Sequence, residues 1–119
     1  MISGLLLKGH LQNNLCKNAI ITDAQYNECA HDDIKRLYKG FLNWQAGEDK
    51  LDYVERENDC DDYAVRFYAY CKSLGFAVGV VVSRAHACNF YATKFNEIYY
   101  FEPQTGGATT MIEPEMMLI

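Results

Sequence analysis

Ala77-Val78-Gly79-Val80-Val81-Val82-Ser83 is apolar at nearly every position, not at alternate ones. A strand with one wet face alternates, so this run marks a central strand buried on both faces. The segment before it reads as a helix. Asn58 or Asp59 can cap its start, and Gly75 follows its last turn as a C′ residue should. Cys60, Ala64, Phe67, Cys71 and Leu74 fall on one face of that helix. After the valine run, His86–Phe95 and Ile98–Glu102 flank a polar turn around Asn96-Glu97 and read as a hairpin. Helices first and then a meander predict an α+β domain, with the cysteine helix packed on a small antiparallel sheet.

Upstream, Thr22-Asp23-Ala24-Gln25 has the spacing of a capping box and predicts a helix start. Ile34, Leu37, Tyr38 and Phe41 then repeat at helical spacing through Trp44. One long helix or two short ones would fill 23–45, and Gly47 with the charged stretch after it reads as a loop. A lone Trp at the end of an amphipathic helix reads as core, with a cleft-lining role as the alternative. No repeat or Pro/Gly-rich linker divides the 119 residues, which predicts one domain. Its helical N-terminal part covers about 1–57 and its core about 58–106.

A net charge of −5 argues against a nucleic-acid binder, since counterion release needs a basic face. The apolar opening Met1–Leu7 is too short for a signal peptide, and no run approaches membrane-spanning length. The five cysteines (Cys16, Cys29, Cys60, Cys71, Cys88) are odd in number and form no C-x-x-C pair. Disulfide frameworks and structural zinc are therefore not expected, and a reducing, cytoplasmic setting fits. Cys16, Cys29 and Cys71 read as small buried apolar residues.

Cys60 differs from the others. It sits in Glu57-Asn58-Asp59-Cys60-Asp61-Asp62 at the expected start of a helix, where unpaired N–H groups and the dipole favour a thiolate. His86, at the head of a strand that packs on that helix, is the candidate base; His10 and His31 lie upstream in weaker contexts. Glu102 and Gln104, at the end of the next strand, are candidates to orient the imidazole. Side chains alternate along strands, so an odd turn at Phe95-Asn96-Glu97 would put His86, Glu102 and Gln104 on one face. That turn would pair Phe90 with Glu102 and Cys88 with Gln104. An even turn would put His86 on the opposite face. An amide from Gln45, Asn43 or Asn58 could join the Cys60 N–H in an oxyanion hole, with none singled out by spacing.

The acids beside Cys60 oppose its ionisation. Asp59, Asp61 and Asp62, with Glu102, could hold a hard cation such as calcium or, alternatively, manganese. Alternatively they are solvated and simply favour the positive end of the helix.

Asp59-Cys60-Asp61-Asp62-Tyr63-Ala64, His86-Ala87-Cys88-Asn89 and Glu102-Pro103-Gln104-Thr105 resemble the cysteine-protease domain joined to the sugar-binding part of certain mushroom agglutinins. Small phage and prokaryotic proteins share a similar pattern. The resemblance covers residues 58–106 and implies a papain-like minimal core with Cys60 as nucleophile, His86 as base and Glu102 as orienting residue. It also implies a calcium requirement, with Asp61, Asp62 and Asn89 as ligand candidates. Cys88 departs from the pattern, standing where a bulky aromatic is expected. The sugar-binding module is absent, so no lectin activity is implied.

The leading expectation is a small calcium-dependent thiol hydrolase, a cysteine peptidase or amidase acting on a protein or peptide. No nucleic-acid or membrane partner is expected. Two other readings are a non-catalytic acidic binding or inhibitor protein, phage-derived, on the same fold, and a regulatory calcium-binding module.

Overall fold

The computed structural model describes residues 1–47 and 59–119. Its elements run β1 (Ile2–Ser3), α1 (Gly4–Asn14), β2 (Ala19–Ile20), β3 (Gln25–Tyr26), α2 (His31–Gly47), α3 (Cys60–Ser73), β4 (Val78–Val82), β5 (Ala87–Ala92), β6 (Ile98–Glu102), β7 (Gly107–Thr109) and β8 (Met116–Leu118). The architecture is α+β. A six-stranded sheet in the order β2-β8-β4-β5-β6-β7 carries the fold, and β1 pairs with β3 beside it. All neighbours in the large sheet are antiparallel except β2 and β8.

The valine strand β4 lies inside the sheet between β8 and β5, and both its faces are covered. Val81 joins Cys88, Phe90, Leu7, Leu11 and Met117 in one apolar cluster under α1. Val78 joins Phe41, Phe67, Cys71, Tyr91 and Phe101 on the α2 and α3 side. The period-two alternation of β4 and β5 thus divides their side chains between two cores. Gly79 is dictated by contact: a Cβ there would lie 2.4 Å from the Leu118 carbonyl oxygen and 2.5 Å from the Phe90 ring. The Phe90 ring fills the space that a side chain on β4 would need.

Helix α3 begins and ends as its sequence predicts. Asp59 is the N-cap, its backbone N–H donates to the Asp62 carboxylate at 3.1 Å, and the pair forms a capping box. Gly75 follows with φ +83°, the left-handed conformation that glycine adopts without steric cost. Ala64, Phe67 and Cys71 are buried along one face. Leu74 departs from that face and is 51% exposed, because it is the C-cap and has left the helical repeat.

The upstream half differs more. Thr22-Asp23-Ala24-Gln25 starts no helix; Gln25 and Tyr26 are strand β3, paired with Ser3 and Ile2. The backbone N–H groups of Thr22 and Asp23 donate instead to the Tyr26 hydroxyl, at 3.0 and 2.9 Å. That hydroxyl donates in turn to the Ile119 carbonyl. A long-range aromatic anchor therefore overrides a local capping pattern. Helix α2 starts only at His31, where the Asp33 carboxylate accepts from the Ala30 N–H, and it runs through Gly47, which is its last residue and not a loop position. The charged stretch after Gly47, read with it as a loop, lies outside the described residues. Trp44 is no core residue: it is 41% exposed and lies at the margin of the cluster, its ring tilted against Phe41 and Tyr70. Helix α1 opens on a Ser3 cap whose hydroxyl accepts from the Leu6 N–H.

Candidate active site

The hairpin register decides which side chains can meet. Asn89 pairs with Phe101, Phe90 with Tyr100, Tyr91 with Tyr99 and Ala92 with Ile98. Each pair has the same index sum, an even number, so the connection 93–97 has an odd length. The pairing is two residues offset from the expected Phe90–Glu102 and Cys88–Gln104 register, because the loop is five residues long and not three. Asn96, at φ 58°, and the Thr93 N–H bond to the Glu97 carbonyl close it. An offset of two preserves parity. Continued by one step, the register sets Cys88 across from Glu102, while His86 and Gln104 lie just beyond the paired strands.

His86 Nε2 lies 2.6 Å from Glu102 Oε2. The imidazole is partly exposed and the carboxylate mostly buried. A charge-assisted bond at this distance fixes the ring plane and assigns its Nε2 to the carboxylate. Nδ1 remains for the other side of the ring. The chain approaches through a tight turn in which Ser83 N–H donates to the His86 carbonyl at 2.8 Å, so the backbone on both sides of β5's start is held.

Cys60 is the first residue of α3 and is half-buried. Its side chain packs against Ala64, Val80 and Ala87, the last being the residue after His86. The Gln104 carboxamide links it to the acid: turned so that both its groups are satisfied, the amide donates from its nitrogen to Glu102 Oε1 at 3.1 Å and accepts at its oxygen from the Cys60 N–H at 3.2 Å. Glu102 therefore has one oxygen on His86 and the other on Gln104. The amide beside Cys60 thus comes from the strand end. Gln45 and Asn43, both on α2, make no hydrogen bond to Cys60 among the described residues, and Asn58 lies outside them. The sequence offered Gln104 as a partner for His86; its contact with the Cys60 N–H is found only in the fold.

All five cysteines are free. Burial, with Asp33 adding to it, pushes the Cys29 thiol up to about 12. Burial pushes Cys71 higher still, with Cys29 a smaller cause. Cys88, completely buried beneath the site, is raised to about 12 by burial first and then by Glu102 and Cys60. These three are poor nucleophiles at neutral pH.

Ligand atoms of Asp59, Asp61 and Asp62 lie within 4.8 Å of one another at the start of α3. Asp61 is exposed, and Asp62 also serves the capping box. Glu102 is not part of this group. Asn89 is fully buried and ties elements together: its Nδ2 donates to the Ala64 carbonyl at 2.8 Å and the Gly79 carbonyl at 3.0 Å. Its Oδ1 meets no donor among the described residues. His31 lies away from this set, bonded through Nδ1 to the Tyr91 hydroxyl at 2.6 Å.

No protein-family model matches the chain, and no curated protein does. Among solved structures, one described as the PSL1a-E64 complex superposes with a TM-score of 0.75 at 20% identity. The match covers 99% of this chain and 51% of that one, so this chain spans about half its length. The likeness establishes a shared fold.

Proposed function

We propose that this protein is a papain-like thiol hydrolase that cleaves a peptide or related amide bond by acyl transfer through Cys60. The observation that carries the reading is the chain of contacts from His86 through Glu102 and Gln104 to the Cys60 N–H. The fold it shares with a protein held in complex with E64, a cysteine-protease inhibitor, supports it.

In this mechanism the His86 imidazole takes the thiol proton, and the Cys60 sulfur attacks the carbonyl carbon. Glu102 keeps Nε2 protonated, so Nδ1 is the basic nitrogen, and it stabilises the imidazolium that forms. The substrate oxygen competes with the Gln104 oxygen for the Cys60 N–H, which sits at the positive end of α3. His86 then returns its proton to the leaving amine as the tetrahedral intermediate collapses. Water, deprotonated by the same imidazole, hydrolyses the thioester and restores the thiol.

The reading extends to a divalent cation. Carboxylate oxygens within 4.8 Å of one another fit an ion with Ca–O distances of about 2.3–2.6 Å. Asp59, Asp61 and Asp62 would hold it, with calcium favoured over manganese as a flexible all-oxygen site, and its charge would offset the field of the acids at Cys60. Asn89 and Glu102 have other partners. The substrate is a protein or peptide, and no nucleic acid is proposed. Among the described residues no helix is long and apolar enough to cross a membrane.

The test is turnover of fluorescein-labelled casein, with and without calcium, by the wild type and by Cys60→Ala. Hydrolysis that disappears in the variant supports the reading; equal hydrolysis by both, or none by the wild type, rejects it.

A further inference from the structure

A cavity of about 420 Å³ opens beside His86, between the turn that precedes β5 and the segment that joins β7 to β8. Ser83, Arg84 and His86 line one wall; Met111, Ile112, Glu113 and Glu115 line the other. Cys60, Glu102 and Gln104 do not line it, so of the candidate site residues it touches His86 alone. Arg84 forms no ion pair with either glutamate among the described residues. Glu115 is pinned through its backbone, its N–H donating to the Val82 carbonyl at 2.8 Å. Ile112 is 79% exposed, leaving apolar surface next to the two acids.

Taken with the proposed hydrolysis, on which this step rests, the geometry points to the His86 cavity as the subsite for the leaving-group side of the substrate, selecting a lysine or arginine just after the scissile bond. The reasoning is chemical. The imidazole hands its proton to the leaving amine, so the chain that carries this amine must lie against His86. Two glutamates and one arginine line the cavity there, a net negative wall. A long cationic side chain can lay its methylenes on Met111 and Ile112 while its head reaches Glu113 and Glu115. An acidic side chain would meet those carboxylates with only Arg84 in its favour. Glu113 and Glu115 are thus specificity-determining residues.

Cut-site profiling of a peptide library tests this. Wild-type protein is incubated with the library, and new termini are identified by mass spectrometry. Lysine and arginine should be enriched at least about fourfold over input in the two positions after the cut. In Glu113→Gln with Glu115→Gln that enrichment should fall to near input, and in Glu113→Lys with Glu115→Lys it should turn toward acidic residues. Enrichment only before the cut, or none, overturns the assignment. If the wild type makes no cuts, the same library passed over immobilised Cys60→Ala decides. Selective retention of lysine and arginine peptides that the double glutamine variant abolishes keeps the subsite and removes the hydrolase reading. Indiscriminate or absent retention overturns the subsite itself.

Discussion

The Glu102 carboxylate meets the His86 imidazole at 2.6 Å through Nε2 and not Nδ1. This choice of nitrogen leaves Nδ1, on the other side of the ring, free of the carboxylate. Replacing Glu102 by Gln keeps a polar group of the same size and removes the charge that holds the tautomer. We expect kcat/KM on a peptide substrate to fall by about 10²-fold or more, roughly 2.7 kcal/mol in barrier, with KM little changed. A loss confined to KM would place Glu102 in binding instead.

The buried cysteines predict how stability depends on pH. Cys29 and Cys88 are raised to about 12 in the folded protein, above the value of about 8.5 for a free thiol. Between these values the folded state keeps protons that the unfolded state has lost. Their stabilisation is thus complete below about pH 8.5 and is lost as pH rises toward 12. Urea midpoints should fall steadily from pH 8.5 to 11, and Cys29→Ala should make the decline shallower. A flat profile over that range would contradict the burial of these thiols.

Gly79→Ala should destabilise without altering the site's chemistry. Its Cβ would meet the Leu118 carbonyl and the Phe90 ring well inside contact distance. We expect a loss of about 1–3 kcal/mol, or roughly 5–10 °C in Tm by calorimetry. Phe90→Leu in the same chain should recover part of the loss by removing the ring edge, though not the clash with the carbonyl. An unchanged Tm for Gly79→Ala would mean the strands are not so closely spaced.

Calcium at millimolar concentration should raise the rate of Cys60 alkylation by iodoacetamide at pH 7 several-fold. A cation among Asp59, Asp61 and Asp62 favours the thiolate. Asp61→Asn should remove the response while leaving circular dichroism and Tm nearly unchanged, since Asp61 is exposed. Equal rates in calcium and in chelator would assign these acids to the helix start alone.

The parts legible in the sequence are those where a local rule and the tertiary fold agree. Helix α3 has its cap, its capping box and its glycine stop within one segment, and β4 declares itself by a continuous apolar run. Hairpin parity was not decided by the sequence, which allowed an odd or an even turn; the odd one was expected from the catalytic reading, and the loop is odd. The exact register was not legible either, since a five-residue loop and a three-residue loop give the same parity. What the sequence hid is held by distant partners. Tyr26 reaches Ile119 and removes the helix start at Thr22. Strands β7 and β8 are three residues each and carry no periodic signal of their own. Helix α1 leaves Leu5 and Leu6 exposed, so its apolar opening shows no clear face. In the candidate site, the Cys, His and Glu order could be read directly. The link from Gln104 to the Cys60 N–H needed the folded strand end.

The most direct measurement of the central claim is covalent capture of the nucleophile. Purified protein is incubated with E64 at pH 7, and the adduct is located by intact mass and peptide mapping. A single adduct on Cys60 is expected, with a rate reduced at least about tenfold in His86→Ala, while the buried Cys29, Cys71 and Cys88 stay unmodified. No adduct on Cys60, or a rate indifferent to His86, would contradict the account.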